Sequence, residues 1–270
     1  MRALLLVLAL LAGCAHHTGT GGPIDPASVV AQARVSTLPF ALQGRYSVRI
    51  QRGTLDVSTR GGLVLDRVTP DQGARFRVEV FGPLGTPAFL VASDGTALNV
   101  WNQSNATFYR GLDAAAVLQK LTGGAVTLAD ISRILTGRVP LPNAPLRSST
   151  VDGDAVVLTL DAGQGALVTA RVDPRSGLAT SLSLQRAEGP PLLSVTYGRP
   201  MKVGGERLPS ALTLTVVPLD LVATVSFESW DELGQIPEVF ALQAPTGAVD
   251  KDLVEALTEL AAQEGARPPP

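Results

Sequence analysis

Cys14 is the only cysteine among 270 residues, and His16 and His17 are the only histidines. A thiol and two imidazoles this close together suggest metal binding or a nucleophile with its base. A zinc site needs three or four ligands, however, and two adjacent histidines with no further partner downstream read as solvated chain. No imidazole falls in the body of the sequence, so no serine there has a histidine to activate it. Gly19-Thr-Gly-Gly22 is too short for a phosphate-cradling loop and opens no strand–helix unit. Lys120, Lys202 and Lys251 are scattered, and the carboxylate pairs Asp231/Glu232 and Asp250/Asp252 are sequence neighbours on surface segments. A glycosidase-type acid pair built from distant strands stays open, although nothing points to one. No catalytic residue, metal ligand or cofactor-binding residue is singled out, and no enzyme is expected.

The chemistry left to Cys14 is acylation. Arg2, the apolar run Ala3–Leu11 and the small residues before Cys14 have the layout of an export signal. The run falls short of the roughly 20 apolar residues that span a bilayer. Leu11-Ala12-Gly13-Cys14 is similar to a lipobox, which predicts removal of residues 1–13 and a diacylglycerol on the Cys14 thiol, with an N-acyl chain beside it. That covalent lipid is the only non-protein group expected. One acyl chain anchors marginally, whereas two or three hold firmly. With its single thiol consumed, the chain has no disulfide and must rely on a hydrophobic core, for which 45% apolar residues suffice. A net charge of −2 argues against nucleic acid as a partner.

The elements that must position anything beyond the anchor follow from periodicity. Residues 14–24 are polar and glycine-rich and predict a flexible tether reaching about 20 Å. Asp25-Pro26 opens a short helix to about Ser36. From Leu42 the period is two: Leu42, Tyr46, Val48 and Ile50 alternate with polar residues, as do Phe76, Val78 and Val80. Similar runs recur to Trp230, separated by turn residues such as Asp94-Gly95 and Asp152-Gly153. Short turns make neighbouring strands antiparallel, so the expectation is a mainly β fold with one antiparallel sheet of about eleven to thirteen strands. Residues 112–121 and 127–135 carry helical spacing and would cover the apolar side of a sheet that curls. Residues 25–245 are expected to form this domain. Residues 246–270 would add a helix over about Val249–Leu260 and a proline-rich tail.

Gly44-Arg45-Tyr46-Ser47-Val48, the run Phe76–Phe81 into Gly82-Pro83-Leu84-Gly85-Thr86, Leu118-Gln119-Lys120-Leu121-Thr122-Gly123 and Ile131–Gly137 occur in an order that resembles the LolB family of outer-membrane lipoprotein receptors. The resemblance covers about the first half of the chain. It implies a LolA/LolB-like incomplete antiparallel β-barrel, covered by short helices around an apolar cavity for acyl chains. Candidate lining residues are Tyr46, Val48, Ile50, Phe76, Val78, Val80, Leu118, Leu121, Ile131 and Leu135. By periodicity alone the same side chains could pack a solid core. The resemblance also implies that Leu84, on a protruding turn, helps insert delivered lipoprotein into the membrane; a leucine folded back onto the core is the other reading.

The function implied is acceptance of lipoprotein acyl chains and their insertion into the bacterial outer membrane, with the protein anchored on its periplasmic face. The partners implied are the inner leaflet, the acyl chains themselves and a periplasmic carrier similar to LolA. A non-transporting lipid-binding or scaffold lipoprotein of the same fold is the alternative. Residues 200–245 match no motif of the family, and the C-terminal helix and tail extend beyond it.

Overall fold

The computed structural model describes residues 24–265, except 69–74, 83–84, 123–125, 187–189 and 235–237. The signal segment, Cys14, both histidines and Leu84 lie outside the described residues.

Helix α1 (Pro26–Val35) opens where Asp25 accepts from the Ala27 and Ser28 amides, with Pro26 in the first position. A meander follows: β1 (Ala41–Arg52), β2 (Leu55–Leu65), β3 (Arg75–Phe81), β4 (Pro87–Asp94), β5 (Leu98–Asn102) and β6 (Thr107–Arg110). Helices α2 (Ala114–Thr122) and α3 (Leu128–Leu135) interrupt it. Thr127 and Asp130 cap α3 reciprocally, the arrangement their spacing predicts. A second meander comprises β7 (Leu146–Asp152), β8 (Ala155–Gly163), β9 (Ala166–Val172), β10 (Ala179–Arg186), β11 (Pro191–Tyr197), β14 (Ala211–Val216) and β15 (Leu221–Leu233). The separate hairpin β12 (Pro200–Val203) and β13 (Glu206–Pro209) is inserted within it.

The meanders join where β1 lies along β15, from Ala41 opposite Leu233 to Arg52 opposite Leu221. The result is one 14-stranded sheet, β7-β8-β9-β10-β11-β14-β15-β1-β2-β3-β4-β5-β6-β16, where β16 is Val249–Asp252. Its outermost strands β7 and β16 are not neighbours, so the sheet curls without closing. This is the open, mainly antiparallel architecture expected. The strand count is slightly higher because β7 and β16 lack the alternating apolar residues that mark a strand in sequence. β2 runs unbroken from Leu55 to Leu65 through Gly61-Gly62.

The chain after β15 departs from its helical spacing. Residues 249–252 pair with β6 in parallel, and the Val249 amide donates to Ala106 at 2.8 Å. Helix α4 (Leu253–Gly265) therefore starts at Leu253, where Asp252 accepts from the Glu255 amide. The ladder gained along β6 outweighs four residues of helix at an exposed end.

Two arginines that periodicity does not flag organise the helices. Arg133, fully buried on α3, donates to the carbonyls of Val139, Ser36, Ala33 and Arg34, and so satisfies the C-terminal end of α1. Arg138 donates to the Thr37 carbonyl and reaches Glu206 at 3.3 Å. Burial lowers the Arg138 pKa to about 10, an effect Glu206 opposes and Arg133 reinforces.

Candidate functional site

Directly opposed residues of an antiparallel pair share a face of the sheet, so the registers assign both faces. Ile50 opposes Val57 on one side and Ala223 on the other. Ala223 opposes Leu214, Leu214 opposes Val195, and Val195 opposes Leu182. In the other direction Tyr46 opposes Gly61, then Val80, then Phe89. From β10 to β4 this face is apolar apart from Thr59 and Ser93 and, at strand ends, Arg52, Arg186 and Glu232. The Thr59 hydroxyl donates to the Phe81 carbonyl, and the Ser93 hydroxyl accepts from the Gly95 amide.

Helices α2, α3 and α4 pack on this face. Ala114, Val117, Leu118, Leu128 and Leu253 join a hydrophobic cluster with Leu98, Val100, Val48 and Phe76. The Tyr197 hydroxyl, on the sheet, donates to the Ile134 carbonyl at 2.8 Å and ties α3 down. Burial pushes that phenol well above its usual pKa.

Burial along the face is graded. Leu42 and Leu65, at the end away from the β1–β2 turn, are 0% exposed. Ile50, Val78, Val80, Val91, Leu214 and Ala223 are half-buried. Beyond them Leu55 (52%), Val57 (43%), Phe89 (37%) and Val217 (44%) stand exposed. These four lie where the β1–β2, β3–β4 and β14–β15 turns gather, so the apolar face opens at that end into an exposed apolar rim.

The sequence-predicted residues divide along the same gradient. Tyr46, Val48, Phe76 and Leu118 are buried in the packed interior. Ile50, Val78, Ile131 and Leu135 are half-buried and pack against that interior, and Val80 is half-buried on the same face as Val78. The side chain of Leu121 lies outside the described residues. Solid core and accessible apolar surface thus coexist at opposite ends of one face. Tyr46 is structural in a specific way: its ring crosses Gly61 and its hydroxyl donates to the Glu79 carbonyl at 2.9 Å. A Cβ at Gly61 would lie 2.2 Å from that carbonyl oxygen and 2.3 Å from the ring. Burial, and then the Glu79 carboxylate, push the Tyr46 phenol upward.

Gly82, Gly85 and Thr86, the described residues on either side of 83–84, lie at the open end. Gly82 donates to Thr86 at 2.8 Å, and Gly85 donates back to Gly82 at 2.9 Å. Gly85 has φ +76, the left-handed conformation that glycine adopts without a steric penalty.

The opposite face has different chemistry. A groove of about 810 Å³ runs past Gln43, Arg45, Arg60, Arg77 and Glu79, with Val64 and Phe81 in its floor and Val239 at its edge. Arg60–Glu228 and Arg77–Glu79 ion pairs line it. Farther along, the chain after β15 crosses the sheet: Arg77 donates to the Val239 carbonyl, and the Arg75 guanidinium lies 5.2 Å over the Phe240 ring. Leu90, Ala92 and Phe108, which face this side by register, are buried with Phe240. Among the described residues no cluster of three or more His, Cys, Asp or Glu side chains could hold a metal ion, and no helix is long and apolar enough to cross a membrane.

No family model matches the chain, and no curated protein matches it in sequence. Solved structures do match in shape. A LolA superfamily protein from Nitrosomonas europaea superposes with a TM-score of 0.54 over 82% of this chain and 99% of its own, at 16% identity. The fold is LolA-like. A Vibrio parahaemolyticus domain described as outer membrane lipoprotein-sorting gives 0.56 at 11% identity, over 78% of this chain and 94% of its own. A DUF1329 family protein from Desulfovibrio piger gives 0.58 at 11%, over 80% and 97%. At these identities the likeness is one of fold. Within the LolA-like fold, the open apolar face with its rim is one surface of this chain open to a ligand, and the groove on the opposite face is another.

The rim itself was missed in the sequence. Leu55 and Val57 are followed by polar residues that end the alternation, and only the register with Ile50 places them on the apolar face.

Proposed function

We propose that this protein is a lipid-anchored envelope lipoprotein that accepts the acyl chains of other lipoproteins on its open apolar face and helps insert them into the outer membrane. The observation that carries the reading is that the packed interior, the half-buried Ile50, Val78, Ile131 and Leu135 packed against it, and an exposed apolar rim belong to one side of the sheet. An acyl chain of sixteen carbons is worth on the order of 12 kcal/mol against water, at about 0.8 kcal/mol per methylene. Its passage through an aqueous space therefore needs an apolar surface, and needs no catalytic group. Aliphatic side chains give non-directional contact that suits a flexible chain, and only 4% of residues are aromatic.

In this reading Cys14 carries the diacylglycerol and N-acyl anchor, residues 14–24 tether the domain to the inner leaflet, and a LolA-like periplasmic carrier supplies the cargo. Leu84 is the membrane-inserting residue in this reading, which is supported by its described neighbours Gly82 and Gly85 lying at the same end as the exposed rim. The test is transfer of a labelled lipoprotein from such a carrier to this protein, and then to vesicles. Wild type is expected to complete both steps, and Leu84→Glu to accept cargo yet fail in the second. Failure of wild type to accept cargo while still binding free acyl chains would favour a non-transporting lipid-binding lipoprotein. Unchanged delivery by a folded Leu84→Glu protein would remove the role given to that residue.

A further inference from the structure

At the end of the sheet opposite the rim, a groove of about 1160 Å³ is bordered by the start of α1, the β7–β8 and β9–β10 turns and the β12–β13 hairpin. Four arginines line it: Arg171, Arg175, Arg199 and Arg207. Three carboxylates line it too, and each is engaged. Asp25 caps α1. Asp173 accepts from the Arg175 amide and the Ser176 hydroxyl. Asp154 lies 3.7 Å from Arg171, which also pairs with Asp152. The side chains of Arg175, Arg199 and Arg207 are exposed and make no ion pair among the described residues. Lys202 stands directly opposite Arg207 in the hairpin and is exposed on the same face. Like charges opposed across a strand pair are destabilising unless an anion lies between them and the solvent. With Lys202, and with the Asp152 that pairs with Arg171, the surface holds five cations against four carboxylates, and the cations without an ion pair among the described residues are the exposed Arg175, Arg199, Arg207 and Lys202.

Ile24, the first described residue, also lines the groove. On the reading of Cys14 as an anchor, only nine residues lie between Ile24 and the lipidated residue. The contour length is then at most about 3.5 Å per residue, which keeps this end of the domain near the bilayer.

We propose that the Arg175–Arg199–Arg207 surface seats on the anionic phospholipid headgroups of the membrane to which the protein is tethered. Eight-residue β10 connects the two ends of the sheet and spans about 26 Å at 3.3 Å per residue. In this pose the apolar rim faces away from the bilayer, toward incoming cargo, and delivery requires the arginine contact to be released so that the domain can turn on its tether.

The experiment uses the full chain with Cys14→Ala, which is unlipidated and cysteine-free, so that binding is not imposed by the anchor. Flotation with vesicles of phosphatidylglycerol and phosphatidylethanolamine is compared with flotation on phosphatidylcholine. Binding is expected on the anionic vesicles only, weakening between 50 and 300 mM salt (chosen values) as screening shortens to about a Debye length of 6 Å. Each of Arg175→Gln, Arg199→Gln and Arg207→Gln should lower the partition coefficient about fivefold. Arg186→Gln, at the other end of β10, should leave it unchanged. An environment-sensitive dye on Thr180→Cys should shift to the blue on binding, while one on Val57→Cys should not. Equal binding to neutral vesicles, no binding to anionic ones, insensitivity to the three arginine variants, or a shift at Val57 alone would overturn the proposal. None of these outcomes bears on acyl-chain acceptance, which the transfer assay reads separately.

Discussion

Tyr197, on the inner face of β11, holds the carbonyl of Ile134 at 2.8 Å, and this hydrogen bond fixes the C-terminal end of α3 over the sheet. The same carbonyl accepts from the Gly137 amide at 3.1 Å, so losing the phenol leaves it weakened rather than orphaned. Ile131, Ile134 and Leu135 are all half-buried beside this clamp. The position of α3 therefore sets how much of the apolar face is open.

Tyr197→Phe should lower stability by about 1 kcal/mol, the net worth of one intramolecular hydrogen bond. It should also raise hydrogen exchange locally, over 131–138, without changing protection of β1 or β15. A uniform rise in exchange across the sheet would show that the bond supports the fold as a whole and does not specifically hold the helix.

Gly61 has no room for a side chain. Gly61→Ala should cost about 1–3 kcal/mol, the usual range for overpacking, measured by chemical denaturation. Combined with Tyr46→Phe the cost should be less than additive, because both changes disturb the same contact at the Glu79 carbonyl. Strict additivity would mean that Tyr46 and Gly61 are not coupled.

Arg133→Met should cost about 3 kcal/mol, because four buried or half-buried carbonyls lose their common donor. Arg133→Lys should recover only part of this, since a single ammonium cannot reproduce the planar fork. Full recovery by lysine would show that charge alone matters at this position.

Asp94 supplies the pH dependence. Partial burial raises its pKa, but donors from the Ala97 amide, the Thr96 amide and the Thr96 hydroxyl outweigh that and bring it below the ordinary 3.8. A carboxylate whose folded pKa is depressed contributes stability that is fully present above its unfolded value and is lost as pH falls through the folded one. The stability gap between wild type and Asp94→Asn should be constant above about pH 5 and shrink below about pH 4. A gap that widens in acid would contradict this sign.

Much of the sheet was legible because alternation is a local signal. Tyr46, Val48 and Ile50 fall on one face whatever the rest of the chain does, and Asp94-Gly95 makes its turn from its own side chains. The capping pair Thr127/Asp130 is equally local. What escaped notice depended on partners distant in sequence. β16 exists only because β6 offers it an edge, Phe240 is buried only because the chain recrosses the sheet, and Arg133 reads as an ordinary helix-surface cation until the end of α1 is brought to it. The site was half legible for the same reason. Its residue types and face follow from periodicity, whereas their division into packed and open ends follows from the register and from where the helices lie.

The most direct test of the account is photocrosslinking of the full chain with Cys14→Ala to a triacylated lipopeptide whose acyl chain carries a diazirine. The account predicts adducts at the half-buried positions of the apolar face, at or beside Ile50, Val78, Ile131 and Leu135, competed away by unlabelled lipopeptide. Adducts confined to the opposite face near Arg45 and Val64, or none above those on an unfolded control, would contradict it.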